Sequence, residues 1–356
     1  MQHLKKGLVI LNEQLNEQFL CDGGHFERSP MYHSILLNDL LELIYLSKIS
    51  QSPIIQAYED YWRTTANKAL DFLTGMLHPD NEISFFNDAA FGIAPSPGHL
   101  FSFAEKLGLA LPNNEQRLLT FKESGYSRIQ NEHNVVLFDH GTVGPNYLPG
   151  HAHADTLSFE WSHLGQRIVV NSGTSLYGGC QERLRQRQTP AHSTITVNNL
   201  SSSQVWSGFR VAKRANGELI SAKEIDASLE VKARHDGYKV LGQNVMHNRT
   251  ITLNENSFTV TDTIEGNPNC AEAFFHLHPN IRVNKDSNDP KTVILIVEIT
   301  KDNSSHSINK HITVQANHPI EVIKSTWHPE FGASTPNKCL RLRITQSESN
   351  TLTFQY

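Results

Sequence analysis

Residues 150–160 read Gly150-His151-Ala152-His153-Ala154-Asp155-Thr156-Leu157-Ser158-Phe159-Glu160, so two histidines and an acid precede a strand-like run. On extended backbone, side chains two residues apart share a face, which predicts that His151, His153 and Asp155 point the same way. A face of this kind suits a metal site or a proton-transfer site. The alternative is a surface strand that is merely polar. Pro149-Gly150 before the stretch and Asn171-Ser172-Gly173 after it look like shaped loops and favour a site.

Upstream of this stretch the pattern is helical. Apolar residues recur at helical spacing near the N-terminus, at Leu8, Leu11, Leu15 and Phe19. Three further helices are predicted over residues 35–49, 56–77 and 101–109, with breaks over 21–30 and 80–97. We expect a curved helical layer with too few helices to close a barrel.

The pattern changes near Pro112, and short alternating β-rich runs follow, broken by Gly, Asn and Asp. Strands are predicted at residues 134–138, 167–170, 194–197, 258–261, 293–299 and 340–344, with a polar turn over 302–307. These runs indicate a large antiparallel β-sandwich whose sheets share one core. The predicted fold class is therefore α+β and multidomain, with helices over residues 1–115 and the sandwich over residues 116–356.

Composition limits the function classes. The chain has 356 residues and a net charge of −5, which gives no support for nucleic-acid binding or a polybasic membrane anchor. No apolar run is long enough to span a membrane, and the apolar block after Gly7 is too short for a secretion signal. The four cysteines lie far apart and form no metal-type pair.

Two loops in the helical part carry reactive side chains. Residues 22–33 read Asp-Gly-Gly-His-Phe-Glu-Arg-Ser-Pro-Met-Tyr-His, and Arg28 there could bind a carboxylate with both ends of its guanidinium. The alternative is a helix connector in which Glu27 and Arg28 neutralise each other. Residues 85–92 form a second loop, for which a structural role of the aromatic residues is favoured over a catalytic one.

Two segments after the central stretch could complete a site. Residues 183–187 contain three arginines, which suggests recognition of an anionic group or, alternatively, a solvated basic turn. His153, Asn171 and His192 could converge across neighbouring strands as a zinc site, although asparagine is a poor zinc ligand.

Three motifs together resemble the heparinase II/III family of polysaccharide lyases. Residues 149–160, the Asn171–Tyr177 turn and Thr189-Pro190-Ala191-His192-Ser193-Thr194 are similar to segments of that family's C-terminal sandwich, in the same order. Residues 22–33 look like the end of its α/α toroid. The resemblance implies that residues 1–115 are the last part of a toroid and that the rest is the family's sandwich.

The resemblance implies an enzyme that cleaves an acidic, uronate-containing polysaccharide by β-elimination. Such chemistry removes the proton α to the uronate carboxylate, expels the glycosidic oxygen and needs a neutralised carboxylate, a base and an acid. By resemblance, Tyr32 is the general base or acid, and His151 is its partner base or a carboxylate contact. We predict substrate contacts from His25, Glu27, Arg28 and Arg187.

The resemblance also implies a structural metal, usually zinc, held by His153 and His192. Asn171 stands where several relatives have the third ligand, an aspartate. Relatives commonly work in the cell envelope or periplasm, and we expect that compartment here, although no signal peptide is visible.

One departure concerns an Asn-His pair that relatives carry on an earlier helix and that neutralises the substrate carboxylate. The chain begins after that position, so we expect a truncated or split product, or a partner chain that supplies the missing helices. Exposed apolar helix faces would then favour association, with itself or with that partner. Two other functions are considered: a glycan-binding remnant without turnover, and a zinc hydrolase.

Overall fold

Helices occupy the first third of the chain in a computed structural model, which describes residues 2–113, 115–300, 307–344 and 349–356. The helices are α1 (Gln2–Gln18), α2 (Pro30–Ile49), α3 (Pro53–Gln56), α4 (Glu59–Gly75), α5 (Pro97–Lys106), α6 (Gln181–Arg187) and α7 (Gly237–Val240), and a 3-10 turn covers Thr189–Ala191. α2 packs against α3, α4 and α5. Among the described helices, none is both long and apolar enough to cross a membrane.

Two helices begin earlier than predicted because serine–proline pairs start them. The Ser29 hydroxyl accepts a hydrogen bond from the Tyr32 amide at 3.2 Å, and Ser96 caps α5 through the His99 amide at 3.4 Å. Proline suits the first helical position because its missing N–H would have had no partner in the helix there. The pairs were predicted as breaks, and the correction places Tyr32 in the first turn of α2.

The rest of the chain is built mainly of strands. They are β1 (Leu118–Phe121), β2 (Tyr126–Gln130), β3 (Asn134–Asp139), β4 (Phe159–His163), β5 (Gln166–Val169), β6 (Ile195–Val197), β7 (Val205–Trp206), β8 (Arg210–Val211), β9 (Gly217–Ile225), β10 (Ser228–His235), β11 (Met246–Leu253), β12 (Ser257–Glu265), β13 (Ala271–His276), β14 (Arg282–Lys285), β15 (Thr292–Thr300), β16 (Ser307–Ala316), β17 (Ile320–Trp327), β18 (Thr335–Ile344) and β19 (Asn350–Gln355). Residues 302–306 of the predicted polar turn lie outside the described residues.

The strands form antiparallel sheets. One sheet has the order β1-β2-β3-β4-β5, a second has β14-β15-β16-β19-β12-β11-β10-β9, a third has β17-β18-β13-β6, and β7 and β8 form a two-stranded hairpin. The register places Phe258 of β12 opposite Phe354 of β19. A single apolar cluster joins the first three sheets and includes Trp161, Phe275 and Leu340. The predicted fold class, helices followed by a large antiparallel β-sandwich, is confirmed, and the assignment of the helices to the last part of a toroid stays a prediction.

The helical part and the sandwich meet along a seam that positions the site. Phe72 of α4 packs against Phe121 and Tyr126 of the first sheet. Deeper in the seam, the buried Glu160 carboxylate accepts hydrogen bonds from His78 Nε2 at 2.8 Å and from the Asn171 amide at 2.7 Å. The predicted boundary between residues 115 and 116 falls between α5 and β1 and stays a prediction.

Candidate active site

The first turn of α2 brings Tyr32 against the loop that precedes β4. The ring centroids of Tyr32 and His151 are 4.0 Å apart, with 33° between the ring planes. The hydroxyl of Tyr32 lies 2.9 Å from the hydroxyl of Tyr177. Tyr32, His151 and Tyr177 are all partly exposed. A phenol and an imidazole, two groups that transfer protons, therefore share one accessible surface.

A buried carboxylate holds the two histidines of the central stretch. The chain is irregular there and not a strand, yet both rings converge on Asp88: His151 Nδ1 lies 3.0 Å and His153 Nε2 2.8 Å from its carboxylate oxygens. Because a carboxylate only accepts hydrogen bonds, each of these nitrogens carries the proton in the neutral ring. The second nitrogen of each ring is left with a free lone pair, Nε2 in His151 and Nδ1 in His153.

Asp88 stays ionised because cations and donors surround it. The Arg183 guanidinium donates to both carboxylate oxygens, at 2.6 Å for Nη2, and Thr174 Oγ1 donates at 3.2 Å. Burial alone would raise the pKa of Asp88, but the hydrogen bonds from His151, His153 and Arg183 hold it well below its ordinary value. A fixed negative charge therefore lies under the two rings and fixes their orientation.

The phenols in this site are held in their protonated form. Burial raises the pKa of Tyr32, and the hydrogen bond with Tyr177 only partly opposes that shift. Burial, followed by the Asp88 charge, also raises the pKa of Tyr177. Of the two roles predicted for Tyr32, proton donor fits this resting state, and the free Nε2 of His151 is the corresponding acceptor.

Nitrogen atoms without partners lie behind this pair. His153 Nδ1 and both ring nitrogens of His192 are buried and, among the described residues, have no hydrogen-bond partner. One ligand atom from each of His153, Asp155 and His192 lies within 4.8 Å of the others. Burial lowers the pKa of His153 to about 4 and that of His192 to about 3, so both rings are neutral, as metal ligation requires.

These residues fit a zinc ion. Two neutral imidazoles and a carboxylate are a zinc donor set, and a ligating histidine normally donates its other N–H to a carboxylate, as His153 does to Asp88. The predicted third ligand, Asn171, stays a prediction. Its side chain donates to Ser158 at 3.3 Å and accepts from the Ser193 amide at 3.2 Å, whereas the Asp155 carboxylate lies within the cluster and is the alternative third ligand.

Two family models match the chain. The model described as Heparinase II/III N-terminus matches residues 2–95, and the model described as Heparinase II/III-like, C-terminal matches residues 114–355. The chain belongs to the heparinase II/III family. This confirms the family that the three motifs indicated.

The relatives of this heparinase II/III family chain include proteins that are named as lyases. A heparin-sulfate lyase of Bacteroides stercoris is 25% identical over 74% of the chain and 40% of the relative. FtsZ-localized protein C of Caulobacter vibrioides is 26% identical over 81% of the chain and 51% of the relative. A solved heparinase III structure superposes with a TM-score of 0.76 at 17% identity, over 99% of the chain and 55% of that structure. The chain thus spans about half the length of these relatives.

In this heparinase II/III family chain, two of the predicted substrate contacts face inward. His25 is buried, its Nε2 lies 3.3 Å from Gln18 Oε1, and burial lowers its pKa to about 3. Arg187 is buried as well and donates to the Ala152 carbonyl at 2.9 Å and to the Ser207 carbonyl at 3.2 Å. Both side chains serve the fold, so the prediction that they contact substrate is corrected.

The other two predicted contacts differ from each other. Arg28 donates to the carbonyl and hydroxyl of Thr142 and to the Glu123 carbonyl at 3.2 Å, so it joins the helical part to the sandwich rather than pairing with Glu27. Glu27 remains beside the site. Burial raises its pKa, while the charge of His151 opposes and that of Asp88 reinforces the shift.

Three residues that position the site were quoted in the sequence but not selected: Asp88, Tyr177 and Arg183. Asp155 was placed beside His151 and His153, but the third metal ligand was expected to be Asn171. The signal for Arg183 was available, because three arginines in residues 183–187 indicated recognition of an anion. The anion that Arg183 binds is Asp88 of the same chain. Asp88 gave no such signal, because a single acid within an aromatic loop is typical of packing.

Proposed function

We propose that this chain provides the acid–base centre of a polysaccharide lyase that acts on an acidic, uronate-containing glycan by β-elimination. The observation that carries the proposal is the accessible pair of Tyr32 and His151, whose rings lie 4.0 Å apart. The lyase names of relatives support the reaction class. Two points support the proposed substrate class. A relative is named heparin-sulfate lyase, and β-elimination removes a proton from the carbon next to a carboxyl group.

In the proposed reaction, His151 Nε2 accepts the proton from the carbon α to the uronate carboxyl. Electrons from that C–H bond form a double bond to the neighbouring carbon, and the bond from that carbon to the glycosidic oxygen breaks. The Tyr32 hydroxyl donates its proton to the departing oxygen. The raised pKa of Tyr32 supports the donor role, and the hydrogen bond from His151 Nδ1 to Asp88 supports the acceptor role of Nε2.

Glu27 is proposed to neutralise part of the uronate charge. A carboxylate next to the carbon that loses a proton must be hydrogen-bonded or paired to stabilise the developing negative charge. Burial raises the pKa of Glu27, while the charge of His151 opposes and that of Asp88 reinforces the shift. In its protonated form the Glu27 carboxyl can donate a hydrogen bond to the substrate carboxyl.

A zinc ion is proposed at His153, Asp155 and His192. Bound there, it would supply a fixed positive charge and a structural link within the loop. Three residues of this chain would hold it, and Asp88 would orient His153 from the other side of the ring.

The test of the lyase proposal is the ultraviolet absorbance of the unsaturated product from a heparan sulfate preparation. We expect Tyr32→Phe to lower its rate of formation by about a hundredfold or more, because a positioned proton donor contributes roughly that much. Tyr61→Phe is the matched control, since Tyr61 lies on α4 and its side chain is exposed. Equal rates for the two variants would refute the role of Tyr32.

Other outcomes of this assay identify the alternative functions. Glycan binding without product from either the wild type or Tyr32→Phe would indicate the glycan-binding remnant. Chelator-sensitive cleavage without a new double bond would indicate the zinc hydrolase. Co-expression with the upstream half of a relative tests whether further helices are required for turnover.

We also propose that the outer faces of α1 and α2 are an association surface. Exposed apolar side chains there include Val9 and Ile10 on α1 and Tyr45 and Ile49 on α2, each at least half exposed. Exposed apolar side chains of this size favour contact with another protein surface. A mass measurement by light scattering tests whether the chain associates with itself. If the protein is a monomer, the remaining candidate to cover the outer faces of α1 and α2 is the helical part of a different chain.

A further inference from the structure

A hairpin next to the acid–base pair is fixed in place by two buried arginines. β7 and β8 form this hairpin, and its turn covers residues 207–209. Arg183 Nε donates to the Gly208 carbonyl at 3.0 Å, and Arg187 Nη1 donates to the Ser207 carbonyl at 3.2 Å. Arg183 also holds Asp88, so one guanidinium positions both the hairpin and the carboxylate under the two histidines.

The tip of the hairpin packs closely on the loop that carries Tyr177. A Cβ added at Gly208 would lie 2.7 Å from the Gly178 carbonyl oxygen, so only glycine allows this approach. The Phe209 ring centroid lies 5.1 Å from that of Tyr177 and 6.0 Å from that of His151. The hairpin therefore presents an aromatic ring beside the proposed catalytic groups.

Phe209 also lines a groove that leads away from His151. The groove has a volume of about 490 Å³, and its lining includes Tyr147, Gly150, Phe209 and Arg210. Arg214 also lines the groove and donates to the Pro145 and Asn146 carbonyls, each at 2.9 Å. These hydrogen bonds, with those of the two buried arginines to the hairpin turn, fix part of the lining.

The lining of the groove combines exposed aromatic rings with an available cation. Phe209 is 40% exposed and Tyr147 is 64% exposed. Arg210 is exposed, and no described residue accepts a hydrogen bond from its guanidinium. The acidic group at the rim, Glu17, accepts a hydrogen bond from the Tyr147 hydroxyl at 2.7 Å. Arg210 therefore has no acidic partner of its own in the described chain.

We infer that this groove is a subsite for the sugar next to the one that is cleaved, and that Arg210 binds an anionic group on that sugar. The inference rests on the proposed function for its substrate. The apolar face of a sugar ring can pack on Phe209, and a guanidinium fork matches the oxygens of a sulfate or carboxylate. Gly150, which precedes His151, and Phe209, whose ring lies near that of His151, both line the groove. A sugar bound there would therefore be the next one along the glycan that reacts at His151.

The test is equilibrium binding in a Tyr32→Phe background, so that turnover does not affect the measurement. The probes are a heparan sulfate oligosaccharide and the same oligosaccharide with its sulfates removed. Trp206 on the hairpin reports binding by fluorescence, since it is 52% exposed while Trp62, Trp161 and Trp327 are buried. Arg210→Gln is compared with Lys213→Gln, which removes the same charge from an exposed residue outside the groove lining.

We expect Arg210→Gln to weaken binding of the sulfated probe by about five- to tenfold, as for a charge-assisted contact. Lys213→Gln should change it by less than about twofold. Arg210→Lys should restore only part of the loss, because the ammonium group keeps the charge but lacks the two-ended fork of the guanidinium. If Arg210→Gln weakens binding of the sulfated probe but not of the desulfated one, the partner of Arg210 is a sulfate. If it weakens binding of both probes, the partner is a carboxylate.

Two results overturn the inference: equal binding by Arg210→Gln and Lys213→Gln on both probes, or no binding of either probe by the background protein. Failure of the proposed function is separate. If the wild type forms no unsaturated product but Arg210→Gln still weakens binding selectively, the groove stands as a glycan site and the lyase proposal falls.

Discussion

The carboxylates of Asp88 and Asp262 have similar partners but different surroundings. Each accepts a two-ended hydrogen bond from a buried arginine, Arg183 for Asp88 and Arg249 for Asp262. Each also accepts from histidine, and His247 Nε2 lies 2.7 Å from Asp262. In both cases burial would raise the carboxyl pKa, and the partners hold it below its ordinary value.

The two networks differ in where they end. From Asp262, His247 leads to His235 at 3.2 Å, and His235 Nδ1 accepts from the Gly237 amide, so that chain of hydrogen bonds closes inside the sandwich. From Asp88, one histidine reaches the partly exposed surface, and the other ends at a buried nitrogen that has no hydrogen-bond partner among the described residues. Ring nitrogens that are all hydrogen-bonded, as in His247 and His235, support the fold, whereas free ring nitrogens at the ends of a network are available for chemistry.

The largest expected effect comes from replacing each carboxylate by its amide. Both Asp88→Asn and Asp262→Asn leave a buried arginine without its counter-charge, which should lower the free energy of unfolding by about 3–5 kcal/mol. Only Asp88→Asn should also lower the rate of unsaturated product formation per folded molecule, by about a hundredfold or more, because an amide can donate as well as accept and so no longer fixes the tautomer of His151.

Urea denaturation and product absorbance, measured at low temperature on the folded fraction, check both parts of this expectation. Asp262→Asn serves as the control for general loss of stability. A comparable rate loss in Asp262→Asn would show that the two networks do not differ in function.

Metal removal should affect the Asp88 network but not the Asp262 network. Its effect on stability should be smaller than that of the amide substitutions. Zinc bound at about a hundred times its dissociation constant adds about 2.7 kcal/mol to stability, so chelation should lower the melting temperature by several degrees. Asp155→Ala and His192→Ala should abolish both metal content and this shift. Asn171→Ala should retain the metal, because the Asp155 carboxylate lies in the cluster, whereas the Asn171 carboxamide is hydrogen-bonded to Ser158 and to the Ser193 amide.

Metal content by elemental analysis, together with thermal melting, distinguishes the two ligand sets. His235→Ala in the Asp262 network is the control and should leave the chelator effect unchanged. Loss of zinc in Asn171→Ala with retention in Asp155→Ala would restore the ligand set expected from the sequence.

The fold could be predicted because its signals are local. Helical spacing of leucines and alternation in the strands indicated the helices and the sandwich. The predicted starts of α2 and α5 were too late, α6 was not predicted, and the stretch from His151 to Asp155 is irregular rather than extended. Ser29-Pro30 and Ser96-Pro97 were taken as breaks, although serine followed by proline is also a helix start. A hydrogen bond to the serine side chain distinguishes a helix start from a break. That bond forms only when the helix itself has formed, so the sequence does not show it.

The site was only partly predictable because its partners come from distant segments. Tyr32, His151, His153 and His192 were selected from motifs, but Asp88 joins them only through the seam between the helices and the sandwich. The different positions of the three arginines could not be predicted, because no helix was predicted over Gln181–Arg187. Arg183 and Arg187 are four residues apart and share the buried face of α6, whereas Arg185 lies on the more exposed one.

The smallest expected effect concerns Tyr177, which contacts Tyr32 without being required for proton transfer. Tyr177→Phe removes one neutral hydrogen bond of about 1 kcal/mol, so the rate of product formation should fall by roughly fivefold and the melting temperature should change little. The raised pKa of Tyr32 is partly opposed by this bond, so its loss should move the basic limb of the pH–rate profile to higher pH. Tyr238→Phe is the control, because that hydroxyl donates to a buried carbonyl in the sandwich. An unshifted basic limb in Tyr177→Phe would show that the two hydroxyls act independently, and Tyr177 would then serve only to pack against Phe209.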